Sequence, residues 1–165
     1  HIIGENGIIP VDLSILFLIV FERREVREMK KSAVCVIIFL SGGYLYCTVE
    51  LVARGFSHIS MFLAGGMCML LVGGIRRVLP EISFLSQMVL SGALITLVEL
   101  AFGLVVNQRM KLEVWDYSQL PYNFRGQICL LEGCLWVLLS APAILVHDFL
   151  WNTLLGIPWK NYRIF

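Results

Sequence analysis

Three carboxylates stand inside long apolar runs: Glu50, Glu99 and Glu132. An ionised carboxylate in hydrocarbon costs on the order of 3 kcal/mol, so such a residue faces a bundle interior, a partner or a water-filled cavity. Carboxylates so placed can take up a cation or a proton, accept bonds from a polar head group, or act as a general base. Three like charges cannot share a dry pocket without protonation or counter-charges. Arg54 follows Glu50 by one helical turn and lies on the same face. Arg125 is a second candidate counter-charge, and a bound cation would be another. The plainer alternative is helix glue, with each acid pinning neighbouring helices together. A loop rich in aromatic and turn-forming residues, Leu112 to Gly126, separates Glu99 from Glu132. Trp115 and Tyr117 suit the membrane–water boundary. Asp116 and Ser118 can close turns with their own backbone. Asn123 can cap the final helix through its side-chain oxygen. The loop is either an aromatic belt with a structured turn or a lid over the acids. The candidate substrate- or ion-binding set is therefore Glu50, Glu99, Glu132, Arg54, Trp115, Asp116, Tyr117, Asn123 and Arg125.

The elements that must position these residues follow from composition. Of the 165 residues, 58% are hydrophobic and 15% charged, against about 45–50% and about 25% in ordinary soluble domains. So short a chain must still cover its surface with polar side chains if it is to live in water. The excess of apolar residues instead calls for lipid. A bilayer core takes roughly 20 apolar residues per helix. The runs predict spans over residues 8–21, 32–53, 59–75, 84–106 and 126–151, with a polar loop over 107–125. The first run is short and broken by Pro10 and Asp12. It reads as a tilted span or an interfacial helix. The expected fold is all-α, a polytopic transmembrane bundle of four or five helices forming one domain over residues 1–165. Residues Glu22 to Lys31 read as a solvated, partly helical connector. Arg76-Arg77 stops the third run, Pro80-Glu81 marks a turn, and Pro142 predicts a bend in the last helix.

Orientation follows from basic residues in short loops. With residues 22–31 in the cytoplasm, nine Lys and Arg lie inside and four outside. Arg76, Arg77, Lys160 and Arg163 join the connector inside. Arg54, Arg109, Lys111 and Arg125 lie outside with the long loop. The expected location is the cytoplasmic membrane, with the connector and C-terminus in the cytoplasm. The three acids then share its outer half.

Other features call for plainer readings. The cysteines at 35, 47, 68, 129 and 134 all lie in apolar runs, without CxxC or Cys/His spacing, and read as small packing residues. Gly42-Gly43, Gly65-Gly66 and Gly73-Gly74 mark close helix contacts. His58 and His147 lie at opposite ends of the spans and cannot share a metal. His147-Asp148 reads as an interfacial pair. Residues Gly43–Leu51 and Gly92–Leu100 form a faint repeat with the same Gly-to-Glu interval. No basic segment with a small-residue cleavage site opens the chain, so no signal peptide is expected. No Ser–His–Asp set, HExxH, P-loop or GxGxxG occurs. No catalytic residue, metal or cofactor is therefore assigned, and any ATP would be hydrolysed on another chain. The net charge of +1 gives no reason to expect a nucleic-acid partner.

The stretch Trp115-Asp116-Tyr117-Ser118-Gln119-Leu120-Pro121-Tyr122-Asn123-Phe124-Arg125-Gly126-Gln127-Ile128-Cys129-Leu130, followed by Trp136, resembles a specific family. It is similar to the bacterial "putative ABC-transporter type IV" (CmpB-like) membrane proteins, and the animal transmembrane protein 229 group shares the pattern. Those proteins carry a WDYS-x-x-P-x-N/D-x-x-G-x-I-x-L signature before their last helix. A Glu in the preceding helix is matched by Glu99, and one in an earlier Gly-rich helix by Glu50. The resemblance covers roughly Ser32 to Trp151. Gln127 stands where bacterial members usually have Arg, and Glu132 is not usual in them, though the animal group has a Glu nearby. The resemblance implies a transport role without a mechanism. The expected function is a transporter or permease component with an outward-facing polar chamber lined by Glu50, Glu99 and Glu132. So few helices make a thin path, so a homo-oligomer or a partner membrane subunit is expected. The rivals are a lipid- or head-group-acting membrane enzyme and a non-catalytic membrane scaffold.

Overall fold

The computed structural model describes residues 13–159 and 161–164, with side chains from Phe21 onward. Residues 8–12 of the first predicted run and Lys160 of the tail lie outside them. Four helices carry the described chain: α1 Leu13–Arg54, α2 Ile59–Val78, α3 Phe84–Gly103 and α4 Leu130–Leu155. A π-helical turn, Leu104–Arg109, follows α3. A small antiparallel hairpin, β1 Asn123–Phe124 with β2 Ile128–Cys129, precedes α4. All four helices contain a stretch long and apolar enough to cross a bilayer. The chain is a small polytopic membrane protein with an all-α fold.

The contacts divide the chain into two compact units, one up to Ala33 and one from Val34. In the first, the predicted connector is helical throughout rather than in part. Glu, Arg, Lys and Met are strong helix formers, and no Gly or Pro interrupts Leu13 to Ser41. Its side chains from Phe21 to Lys30 are exposed, and Lys31 pairs with Glu28 at 2.7 Å.

The second unit is built inside out relative to a soluble bundle. Gln87, Ser91, Ser140 and His147 are almost fully buried, while Val52, Leu97 and Leu138 are exposed. Lipid is the solvent that makes this arrangement favourable. Apolar side chains can face hydrocarbon at no cost, whereas polar ones must find partners within the bundle. Gln87 donates to the Val72 carbonyl at 3.3 Å, and Ser140 to that of Trp136 at 2.7 Å. Where α1 crosses α2, the glycines do the work assigned to them. A Cβ on Gly42 would meet Met69 and the Gly65 carbonyl, and one on Gly65 would meet Tyr46. Gly73 abuts the His147 ring of α4, whereas Gly74 has open space beside it.

The helix ends differ from expectation in two places. Arg76 and Arg77 lie within α2, which runs on to Val78. Long basic side chains at a helix end reach out of the apolar zone without unwinding the backbone, and cations suit a helix C-terminus. Pro142 lies inside α4, which continues through it. The last helix begins at Leu130, because residues 126–129 turn through the hairpin first. At the start of α3, the chain's tail supplies acceptors: Phe84 N–H donates to the Arg163 carbonyl at 2.7 Å. Those first-turn N–H groups have no partner within their own helix.

Candidate functional site

The three acids lie towards one end of the bundle, the end that carries the long loop. Glu50 is one turn before the end of α1, and Glu132 is in the first turn of α4. Glu99 is deeper. The helical course of α3 and the π-turn ends at Arg109, about 15 Å beyond Glu99 at an α-helical rise.

Glu99 is 5% exposed. It accepts one hydrogen bond from the Tyr117 hydroxyl and one from the Trp136 indole N–H, both at 2.9 Å. Both donors are neutral, and among the described residues no cation pairs with it. Burial pushes the Tyr117 phenol far above its ordinary range, and the charges of Glu99 and Glu132 push it further. Tyr117 is therefore a permanent donor. Glu50 is satisfied differently. Its two oxygens accept from Arg54 and from Ser57 Oγ. Arg54 also donates to the Val114 carbonyl at 2.8 Å and lies over the Phe56 ring at 4.5 Å. Glu132 is half-buried and makes no hydrogen bond or ion pair among the described residues.

The loop reaches Glu99 because a buried network holds it down. Asn107, at the π-helical turn, donates to the Trp115 carbonyl and to Gln127 Oε1, both at 2.9 Å, and accepts from the Val114 N–H at 2.8 Å. Trp115 is buried against Met61 and Val106, and its indole donates to the Gln127 carbonyl at 3.0 Å. Tyr117 N–H then bonds the Gly126 carbonyl at 2.8 Å, which aims the phenol at α3.

The remaining candidates shape the loop. Asp116 accepts from the backbone and side chain of Ser118, both at 2.8 Å, closing the turn expected of it. Asn123 does not cap the final helix. Its amide donates to the Ser118 and Leu120 carbonyls, and its oxygen accepts from Gly126 N–H. The cap position falls to Cys129, without a side-chain bond. Arg125 is exposed, lies over Phe124 at 5.6 Å, and forms no ion pair among the described residues. It is no counter-charge to the acids. Gly126 has φ +69°, and a Cβ there would meet Asp116 Oδ1 at 2.5 Å. Left-handed backbone costs a residue with a Cβ about 1–2 kcal/mol. Gly126→Ala should therefore open the Asp116 turn. Hydrogen exchange at Tyr117 and Ser118 should rise at least fivefold, with the helices unaffected.

The sequence marks Trp136 as part of the family resemblance but not as a candidate site residue. An aromatic residue in an apolar helix reads as packing, yet a buried indole seeks an acceptor for its N–H. A buried acid on the neighbouring helix was the available clue. The Trp136 ring also stacks on Tyr46, with centroids 5.6 Å apart. Both rings line a cavity of about 260 Å3 bordered by Leu45, Cys68, Ile95 and Leu139. That cavity is apolar, and Ile95 places it one turn along α3 from Glu99.

A family model described as "Putative ABC-transporter type IV" matches residues 34–165. Comparison with curated proteins and with solved structures gave no match.

Proposed function

Since the chain belongs to the "Putative ABC-transporter type IV" family, we propose that it is the membrane-embedded component of a transporter, with Glu99 as the group that takes up a cation or a proton. One observation carries this reading: among the described residues, Glu99 is a buried carboxylate held only by neutral donors. A buried acid with a full cation partner is a closed ion pair. Glu99 keeps its capacity to be neutralised by something that arrives.

In this reading Glu132 adds negative charge beside Glu99, and Tyr117 with Trp115 forms the lid. The loop end faces outward, as the count of basic residues favours. The Glu50–Arg54 pair braces the lid through Val114 rather than meeting substrate. A partner subunit supplies ATP hydrolysis, and either that subunit or a second copy completes the path.

A second reading has one observation in its favour. The two bonds to Glu99 tie the loop and α4 to α3, which suits a structural latch in a scaffold. Glu99→Gln separates the two. The purified variant and the wild type are melted in detergent across pH and with sodium, magnesium and a quaternary ammonium salt. The transporter reading expects at least one of these, or protons, to stabilise the wild type by several degrees. It expects the variant to fold equally well and lose that response. A variant that melts far lower, beside a wild type indifferent to every cation and to pH, would leave only the latch.

A further inference from the structure

At the end of the bundle away from the loop, the last turn of α2, the last turns of α4 and the tail enclose a cavity of about 350 Å3. Its wall includes Arg76, Arg77, His147, Asp148, Trp151 and Tyr162. Asp148 is taken up by its neighbours. Tyr162 donates to it at 2.7 Å, His147 Nδ1 lies at 3.0 Å, and Arg76 at 3.4 Å. With Nδ1–H turned to Asp148, His147 Nε2 is an acceptor, and Arg77 lies 3.4 Å from it.

Among the described residues the charges do not balance. Two guanidiniums face one carboxylate, which leaves a surplus of one positive charge. Arg77 lies over the Trp151 ring at 3.5 Å and, among the described residues, pairs with no acid. Arg76 Nε is buried without a hydrogen-bond partner. A guanidinium offers paired N–H groups that match the oxygens of a phosphate. Aromatic rings at a helix end, as Trp151 is here, suit the level of lipid head groups. Basic pockets between helix ends bind such groups.

We propose that this cavity binds a phosphate-bearing monoanion, either the head group of an anionic phospholipid or a free phosphate, with Arg77 holding its charge. A phosphodiester carries the single negative charge that the surplus requires. The site is separate from Glu99 and does not depend on the role given to it.

The test uses the purified full chain with three probes: phosphatidylglycerol, phosphatidylcholine and inorganic phosphate. Native mass spectrometry reads retained lipid, and the melting midpoint reads stabilisation. Phosphatidylglycerol is expected to be retained at least tenfold better than phosphatidylcholine. Arg77→Gln should bring the two to the same level, and Arg77→Lys should keep part of the preference. A midpoint raised by inorganic phosphate, with no lipid preference, would identify a soluble anion as the source. A wild type that prefers neither lipid and ignores phosphate overturns the proposal, whether or not the variants fold. Equal preference in wild type and a folded Arg77→Gln overturns it as well.

Discussion

Trp115→Ala is expected to cost about 3–5 kcal/mol, the range for truncating a large buried aromatic side chain, and to free the loop from the bundle. Trp115 is 7% exposed and packs with Met61, Val106 and Val114, while Tyr117 and Phe102 close over that cluster. Its indole also satisfies the Gln127 carbonyl. Truncation removes the packing and leaves that carbonyl without its donor. The backbone of Trp115 still accepts from Asn107, and Val114 keeps its bonds to Asn107 and Arg54, but hydrogen bonds alone then hold a loop whose hydrophobic anchor is gone. Tyr117 then swings away from Glu99. Trp115→Phe is the control. It keeps most of the ring and loses one hydrogen bond, so it should cost about 1–2 kcal/mol. Melting in detergent measures both, and hydrogen exchange over 112–126 locates the damage. A Trp115→Ala protein with the wild-type midpoint and a protected loop would show that the anchor lies elsewhere.

The second large effect is a reversal of sign. Gly→Ala within a helix ordinarily stabilises by roughly 0.5–1 kcal/mol, because glycine loses the most backbone freedom on folding. Gly73→Ala should instead destabilise by about 1–3 kcal/mol, the usual cost of overpacking. The new methyl would fall within the His147 imidazole. The ring is 1% exposed and stacks against Trp151, which restricts how it can move. Moving it also breaks its bond to Asp148. In a His147→Ala background the clash disappears, and Gly73→Ala should then be neutral or stabilising. Contacting residues couple in this way, whereas distant ones add. A double-mutant cycle with a coupling energy near zero would contradict the contact.

The sequence was most readable where physics is local. Long apolar runs announced the helices. The spacing of Glu50 and Arg54 announced their ion pair, because residues four apart on a helix meet. Asp116 and Ser118 formed the turn their side chains favour. The misreadings came where two local signals competed or where a partner was remote. The charged stretch from Glu22 reads by polarity as a partly helical connector, but its residues are strong helix formers and it is helical throughout. Asn123 stood where a cap was wanted, but the hairpin claimed its amide first. Arg125 had the charge expected near the acids, yet the positive-φ turn at Arg125 and Gly126 leaves it exposed. Trp136 bonds Glu99 and Gln127 bonds Asn107 across the bundle, and no spacing in the chain marks those contacts.

Trp136 stands between two compartments of different character. One edge of its indole bonds Glu99, and its ring forms part of the wall of the apolar cavity beside α1. A hydrocarbon chain entering that cavity and turning the ring would withdraw a donor from the acid. By linkage, whatever neutralises the acid would bias the cavity's occupancy to the same degree. The indole thus ties the buried acid to the wall of the apolar cavity.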